Sequence, residues 1–134
     1  MITYFTEPFR IRYTETDQMG FAHHSNYLNY FEMARIEWLN KIGYSYKELE
    51  AQGIVMPVVS ANINFKRPAF FDDFLRIKLT LEAIPKATIK INYLIINESE
   101  EEIASGSTVL AFLNQSNNKP VRCPNSLLEV IQFL

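Results

Sequence analysis

The sequence is short of several things, and each shortage closes a class of function. It holds one cysteine, Cys123, in 134 residues. One thiol cannot close an internal disulfide, and no metal-ligand spacing can be built around it. A free thiol fits a reducing compartment. Charge of one sign is also missing: 13 Lys and Arg against 15 Asp and Glu leave a formal −2, with no basic block. Nucleic-acid binding therefore has little electrostatic support. No apolar run approaches the roughly 20 residues that span a bilayer, so no transmembrane segment is expected. The start lacks a charged residue followed by an apolar run, the form of a secretory signal, so a cytoplasmic location is expected. Glycine is sparse, with four in the chain. No glycine loop of the phosphate-cradling kind occurs, which argues against nucleotide chemistry.

What is present fits one domain over residues 1–134, with a core that can bury roughly two-thirds of the unfolded surface. No repeat, linker or low-complexity segment divides it. Residues 4 to 15 alternate, with Phe9, Ile11 and Tyr13 on one face and Arg10 and Arg12 on the other, the period of a half-buried strand. Residues 26 to 42 carry Tyr27, Phe31, Ala34 and Trp38 at helical spacing, widened by Leu28, Leu39 and Ile42. Asn29, Met33, Glu37 and Asn40 make the wetter side. A helix this apolar is expected to be surrounded rather than laid on a surface. Ser25 or Asn26 is its expected cap and Gly43 its stop. A short second helix is expected from Ser45 to Gln52, closed by Gly53, and another after Pro124 with Asn125 as cap.

The remainder alternates at period two over 58–67, 74–83, 87–97 and 103–114, separated by turns at Pro68 to Asp73, Pro85-Lys86 and Asn97 to Glu102. Gly106 marks a bulge or a close backbone approach. Short connections predict an antiparallel meander. One sheet must then cover one apolar helix, an α+β arrangement in which the sheet curves around it. Leu94, Ile96, Leu110 and Phe112 are expected on the outer face of the last two strands, an apolar patch that predicts a homodimer or a homotetramer.

The stretch from Arg12 to Trp38 organises the rest. A strand end runs into a loop with one carboxylate, Asp17, and one glycine, Gly20, and then into the start of the apolar helix. That order sets a carboxylate close to the exposed amides of a helix start and next to greasy walls. Attack on a carbonyl needs that combination.

At Tyr13-Thr14-Glu15-Thr16-Asp17-Gln18-Met19-Gly20 and His24-Ser25-Asn26-Tyr27, with Phe31-Glu32-Met33-Ala34-Arg35 and Trp38 behind them, the sequence resembles the hotdog-fold acyl-CoA thioesterases. The likeness is to the hydroxybenzoyl-CoA thioesterase-like branch, with its Tol-Pal-associated subgroup. Gly43-Tyr44-Ser45-Tyr46, Gly53-Ile54-Val55 and Phe65-Lys66-Arg67-Pro68-Ala69 before Asp72-Asp73 extend it over nearly the whole chain. The resemblance implies a five-stranded antiparallel sheet around a central helix, dimers with sites at their interface, and an acyl-CoA substrate, or an acyl group on a carrier protein. It implies that Asp17 is catalytic with His24, and that Tyr13, Gly20 and Tyr27 belong to the substrate site. Met19, Phe21, Ala22 and His23 depart from the family pattern, which bears on substrate preference.

The chemistry suits those residues. A thioester carbonyl builds negative charge on oxygen when attacked, and the backbone amide of His24, at the helix entrance, is the expected donor to it. Asp17 either activates a water or attacks the carbonyl itself; the sequence leaves both open. The His24 imidazole is placed to donate to the leaving sulfur or orient water. Arg67 and Lys86, with Lys66 and Lys90, are candidates for the CoA phosphates. No cofactor is implied. Adjacent residues point apart, so His23-His24 does not make a metal pair. Glu32 and Arg35 are expected to pair in a structural role, and Cys123 to stand aside. Two other readings use the same scaffold: a non-catalytic acyl-CoA sensor, and a hydratase-type relative acting on enoyl-CoA.

Overall fold

The structure, a computed structural model, describes residues 1–134. Its central element is helix α1 (Tyr27–Lys41). No Gly or Pro interrupts that segment, and Tyr27, Tyr30, Phe31, Ala34, Trp38 and Leu39 are buried along it. Each large side chain so removed from water contributes about 1.5–3 kcal/mol before entropy is counted. Gly43, at φ 82°, closes the helix. The amide of Tyr44 returns to the carbonyl of Leu39 (2.9 Å) and that of Gly43 to Asn40 (3.1 Å), a turn that needs the left-handed conformation glycine adopts without strain. Asn29, Met33 and Asn40 are exposed as expected. Glu37 is half-buried because the Tyr4 hydroxyl (2.7 Å) and the Glu7 amide (3.0 Å) donate to its carboxylate.

Five strands wrap the helix: β1 (Ile2–Phe5), β4 (Val58–Phe65), β5 (Phe74–Leu81), β6 (Thr88–Asn97) and β7 (Glu102–Ala111). All pair antiparallel, in the order β1-β5-β6-β7-β4, with the short β2 (Phe9–Arg10) on the end of β5. A two-stranded ribbon of β3 (Ile54–Val55) and β8 (Leu113–Asn114) lies apart. Helix α2 (Tyr46–Ala51) follows α1, and α3 (Asn125–Gln132) buries Leu127 and Ile131. This is the expected sheet around a central helix, and four details of it differ from expectation.

Residues 4 to 15 do not form one strand. Glu7-Pro8 separates β1 from β2, and Tyr13–Glu15 is a 3₁₀ turn. Proline has no amide to give the ladder. Second, only β5, β6 and β7 form a meander. β4 pairs with β7 on the far edge, so residues 66–73 carry the chain back across the front of α1. Pro68 ends β4, and the crossing is tied down by the Ala22 amide on the Ala69 carbonyl (2.7 Å) and by the Ile11–Asp73 and Asp72–Ile11 bonds.

Third, the expected outer apolar patch is reduced to Leu94, which is half-buried on the face of β6 away from the helix. Leu110 stands opposite Ile89 on the helix-facing side of the sheet, and Phe112 is in the core. A register shift at Ile95/Ile96 buries both isoleucines. The apolar surface lies instead on the edge strand β4, where Val58, Val59 and Phe65 are exposed. Fourth, neither Ser25 nor Asn26 caps the helix with its side chain, and Pro124 rather than Asn125 precedes α3.

Gly106 is a close-approach point. A Cβ there would meet the Asn62 carbonyl oxygen at 2.2 Å and the Phe31 ring at 2.9 Å.

Candidate active site

The loop that carries Asp17 is a small hairpin built by its own sequence. Thr16 bridges to Ala22, and the Asp17 amide bonds the Phe21 carbonyl (2.8 Å). Gly20 turns the tip at φ 80°, with nothing near the position a Cβ would occupy; it is there for its backbone rather than for space. The Asp17 carboxylate completes the turn. Its Oδ1 accepts from the Met19 amide (2.9 Å) and the Phe21 amide (3.1 Å), an Asx turn. Its Oδ2 accepts nothing from the chain, and the residue is half-buried. The carboxylate is thus held by one oxygen and open at the other.

The helix start lies directly beyond the hairpin. A 3₁₀ turn, His24–Asn26, leads into α1, and its cap is His23, a role the sequence analysis assigned to Ser25 or Asn26. The His23 Nδ1 accepts from the Ser25 amide (3.1 Å) and lies 2.8 Å from the Ser25 hydroxyl. An amide can only donate, so Nδ1 is the acceptor and the proton sits on Nε2. The Asn26 amide goes to the His23 carbonyl (3.0 Å) and the Tyr27 amide to that of His24. The His24 amide alone has no acceptor in the chain. It is therefore free to donate, as an oxyanion contact requires.

The two histidine rings do not point apart. They stack, with centroids 4.2 Å apart and planes 30° from parallel. No third His, Cys, Asp or Glu joins them in a group that could hold an ion. Stacking fixes the exposed His24 ring against a neighbour whose own Nδ1 is already used.

Aromatic pairs frame this region. Tyr13 meets Phe71 edge-on (5.4 Å), Phe21 meets Phe70 (5.2 Å), and Tyr27 meets Phe65 (5.0 Å). Each pair joins the loop or helix start to the crossing segment 65–71. Tyr13, Phe65, Phe70 and Phe71 are exposed, while Tyr27 is buried, and burial raises the pKa of its hydroxyl. Tyr27 is thus a wall behind the site. Sequence reading missed Phe70 and Phe71; two phenylalanines in a turn otherwise made of Pro68, Asp72 and Asp73 were the available signal.

The basic candidates separate. Arg67 is near, two residues before Ala69, but it is engaged by Glu101 (3.4 Å) and the Glu102 carbonyl (3.3 Å). Lys66 pairs with Glu102, and that ammonium holds the Glu102 carboxylate below its ordinary pKa. Lys86 and Lys90 line a cleft of about 320 Å³ with Glu82, Thr88 and Asn92 at the β5–β6 hairpin. The Asp17 hairpin is tied through Ala22–Ala69 and Phe21–Phe70 to the segment entering the other end of β5, whose eight residues span about 26 Å. One chain does not bring Lys86 to Asp17.

Glu32 and Arg35 pair at 3.5 Å, and Arg35 is buried. Its guanidinium donates to the hydroxyls of Tyr46 (3.2 Å) and Tyr93 (3.5 Å), and the latter lies 2.7 Å from Thr108 Oγ1. Burial opposes the Arg35 charge, but the two tyrosines outweigh it and its pKa lies above the ordinary value. The network braces α1 against β6 and β7. Cys123 is buried, and burial pushes its thiol up to about 12; it takes no part.

The mouth of the enclosed helix thus carries one carboxylate open at Oδ2 and one helix-start amide without an acceptor in the chain. The chain belongs to the thioesterase-like superfamily, whose pattern matches residues 11–131. It superposes on a DHNA-CoA thioesterase from Staphylococcus aureus with a TM-score of 0.92 and 34% identity, covering 99% of this chain and 91% of that one. The acyl-CoA thioesterase YbgC of Haemophilus influenzae is 27% identical over 131 residues, 97% of this chain and 96% of its own. The acyl-CoA thioester hydrolase YbgC of Escherichia coli is 25% identical over 126 residues, 94% of each.

Proposed function

We propose that the chain hydrolyses the thioester bond of an acyl-CoA to the free acid and CoA, using Asp17 and the His24 amide. The observation that carries the reading is the pairing of a carboxylate pinned by Oδ1 but open at Oδ2 with the one unpaired amide of the helix start. The amide takes the developing oxyanion, a contact worth roughly 10²–10³ in rate. Asp17 Oδ2 either removes a proton from the attacking water or attacks the carbonyl to give a mixed anhydride, which water then opens. The thiolate of CoA leaves in both routes, and His24 is placed to protonate it or to order water.

The acyl group is aromatic in this reading. Three edge-on aromatic pairs around the loop offer faces and edges that complement a flat ring, and the Staphylococcus aureus relative is a DHNA-CoA thioesterase. Two copies of the chain join along β4. That edge presents Val58, Val59 and Phe65 to water, and an exposed apolar edge strand is stable only when paired or covered. Such a dimer closes the aromatic frame.

The test is release of free thiol from a panel of aromatic and straight-chain acyl-CoA esters by the native chain and by Asp17→Asn. The reading expects turnover of an aromatic member and its loss in the variant. Equal rates for the two proteins, or no turnover of any member, removes it.

A further inference from the structure

The residue before the unpaired helix-start amide is a histidine whose ring, and not only its backbone, is engaged. The His23 main chain donates to the Glu15 carbonyl (2.8 Å) and accepts from the Asn26 amide (3.0 Å). Any residue at this position would keep those two bonds. The ring adds contacts that belong to the side chain alone. Nδ1 accepts from the Ser25 amide (3.1 Å) and lies 2.8 Å from the Ser25 hydroxyl. The ring also stacks on that of His24, 4.2 Å from centroid to centroid. The His23 side chain therefore brackets His24, its ring by the stack and its backbone by the bond that closes over it from residue 23 to residue 25.

The bond to Ser25 makes a demand on the ring. An amide only donates, so Nδ1 must present its lone pair. A second proton on the ring turns Nδ1 into a donor facing a donor, and the cap is lost. With His24 charged as well, two imidazolium rings face each other at the 4.2 Å of the stack. No carboxylate pairs with either ring to offset that charge. The charged groups on the surrounding elements are engaged elsewhere. Glu15 of the preceding turn pairs with Arg12. On the crossing segment Asp72 pairs with Arg10, Asp73 accepts from the Phe70 amide, and Arg67 pairs with Glu101. Asp17 holds two amides of its own hairpin. Once the cap is lost the Ser25 amide is as loose as that of His24, and an uncapped helix end frays.

We infer that the His23 side chain is a positioning residue for the hydrolysis, holding the His24 amide and the His24 imidazole in place while its own ring is neutral. The inference rests on the thioesterase reading above. His23 touches no reacting atom; it fixes the neighbour that does. The cap serves the His24 amide and the stack serves the His24 ring, so substitutions at position 23 divide the two. Removing an oxyanion donor outright costs roughly 10²–10³ in rate. Letting a donor wander costs less, and the loss falls on kcat, because the contacts that bind the ester lie elsewhere.

The experiment measures kcat and KM on the acyl-CoA ester that the native chain turns over best, from about pH 5 to pH 8, the range in which imidazoles titrate. The proteins are native, His23→Asn and His23→Phe, with a melting curve for each, and the histidine ring nitrogens of the native chain are read by NMR. At the alkaline end, His23→Phe keeps the stack but has no acceptor, and is expected to lose about 10-fold to 30-fold in kcat with KM within about twofold. His23→Asn keeps an acceptor for the Ser25 amide and is expected to stay within about threefold of native, the share left to the stack. Asparagine does not titrate, so the ratio of His23→Asn to native kcat is expected to rise about tenfold from the alkaline to the acid end. Titration of Asp17 and His24 is common to both proteins and cancels in that ratio. The NMR spectrum is expected to place the His23 proton on Nε2 at the alkaline end. A folded His23→Phe with native kcat, a loss confined to KM, a ratio that stays flat with pH, or a proton on Nδ1 overturns the inference. Should His23→Phe not fold, the ratio and the tautomer decide. A native chain inactive on every ester removes the thioesterase reading and this inference with it, whereas native turnover that survives His23→Phe removes the inference alone.

Discussion

The ring of Phe31 lies flat on that of Tyr93, with 4.2 Å between centroids and 6° between planes. The stack joins α1 to the middle of the sheet, and Gly106, opposite both Tyr93 and Ile63 in the ladders, leaves it room. Gly106→Ala puts a methyl carbon 2.2 Å from a backbone oxygen of β4 and 2.9 Å from the Phe31 ring. The oxygen belongs to a paired strand and cannot swing away. The variant is expected to lose about 3 kcal/mol of stability, read as a fall of about 10 °C in melting temperature. An unchanged melting curve contradicts the close approach.

Asp17 has two separable tasks, and two substitutions divide them. Asn at position 17 keeps an Oδ1 for the Met19 and Phe21 amides but has no carboxylate at Oδ2. Asp17→Asn is expected to melt within about 0.5 kcal/mol of native while turnover drops at least roughly 10²-fold. Asp17→Ala loses the turn as well and is expected to be less stable than Asp17→Asn by about 1 kcal/mol. Denaturant unfolding and steady-state kinetics on the same samples check both.

His23 is an unusual cap, and its ring does two things at once. His23→Asn retains a side-chain acceptor for the Ser25 amide but loses the stack on His24, whereas His23→Phe keeps the stack and loses the acceptor. The Phe variant is expected to cost about 1 kcal/mol of stability, the ordinary worth of a cap. The Asn variant is expected to stay near native. Comparable losses in both variants refute the capping role.

The proposed subunit contact lies on the edge of β4. Val59 is more than half exposed and makes no core contact whose loss would confuse the result. Val59→Asp sets like charges against each other across a two-fold contact and is expected to convert dimer to monomer in sedimentation velocity. Activity is expected to fall with the dimer. A native chain that sediments as a monomer rules the contact out.

Alkaline stability follows from two raised groups. Burial holds the Cys123 thiol up to about 12 against an ordinary 9.0. Burial, with Glu37 beside it, holds the Tyr4 hydroxyl up to about 12 against 10.0. In each case the folded state keeps a proton that the unfolded chain releases. Their contribution to stability is full below pH 9 and drains away as pH rises from there toward 12. The urea midpoint is expected to fall across that window. Cys123 is expected to resist alkylation at pH 8 in the folded chain and to react on unfolding. Rapid labelling of the native protein would falsify the burial argument.

The sequence was most informative where its period and its chemistry agreed. The spacing of Tyr27, Phe31, Ala34 and Trp38 marks a surrounded helix, and Gly43 marks its end. Leu75, Ile77 and Leu79 in one run and Ile89, Ile91, Tyr93 and Ile95 in the next name the strand faces that the structure buries. The loop with Asp17 and Gly20 before a helix start is equally legible, because an Asx turn and a positive φ are local events. The misread elements are non-local. Alternation in 58–67 has the period of a half-buried strand, yet β4 is exposed over most of its length, since burial depends on what lies beyond an edge. Leu110 and Phe112 alternate like outer-face residues until the ladder assigns Leu110 to Ile89.

What the residues alone determined was a helix that must be enclosed, strands able to enclose it, and a carboxylate in a tight turn at its mouth, since periodicity, capping and turn chemistry act over a few residues. Which strand pairs with which, and that residues 66–73 cross the helix mouth, were decided only by the folded chain. These contacts join positions far apart in the chain, and no local preference carries their register.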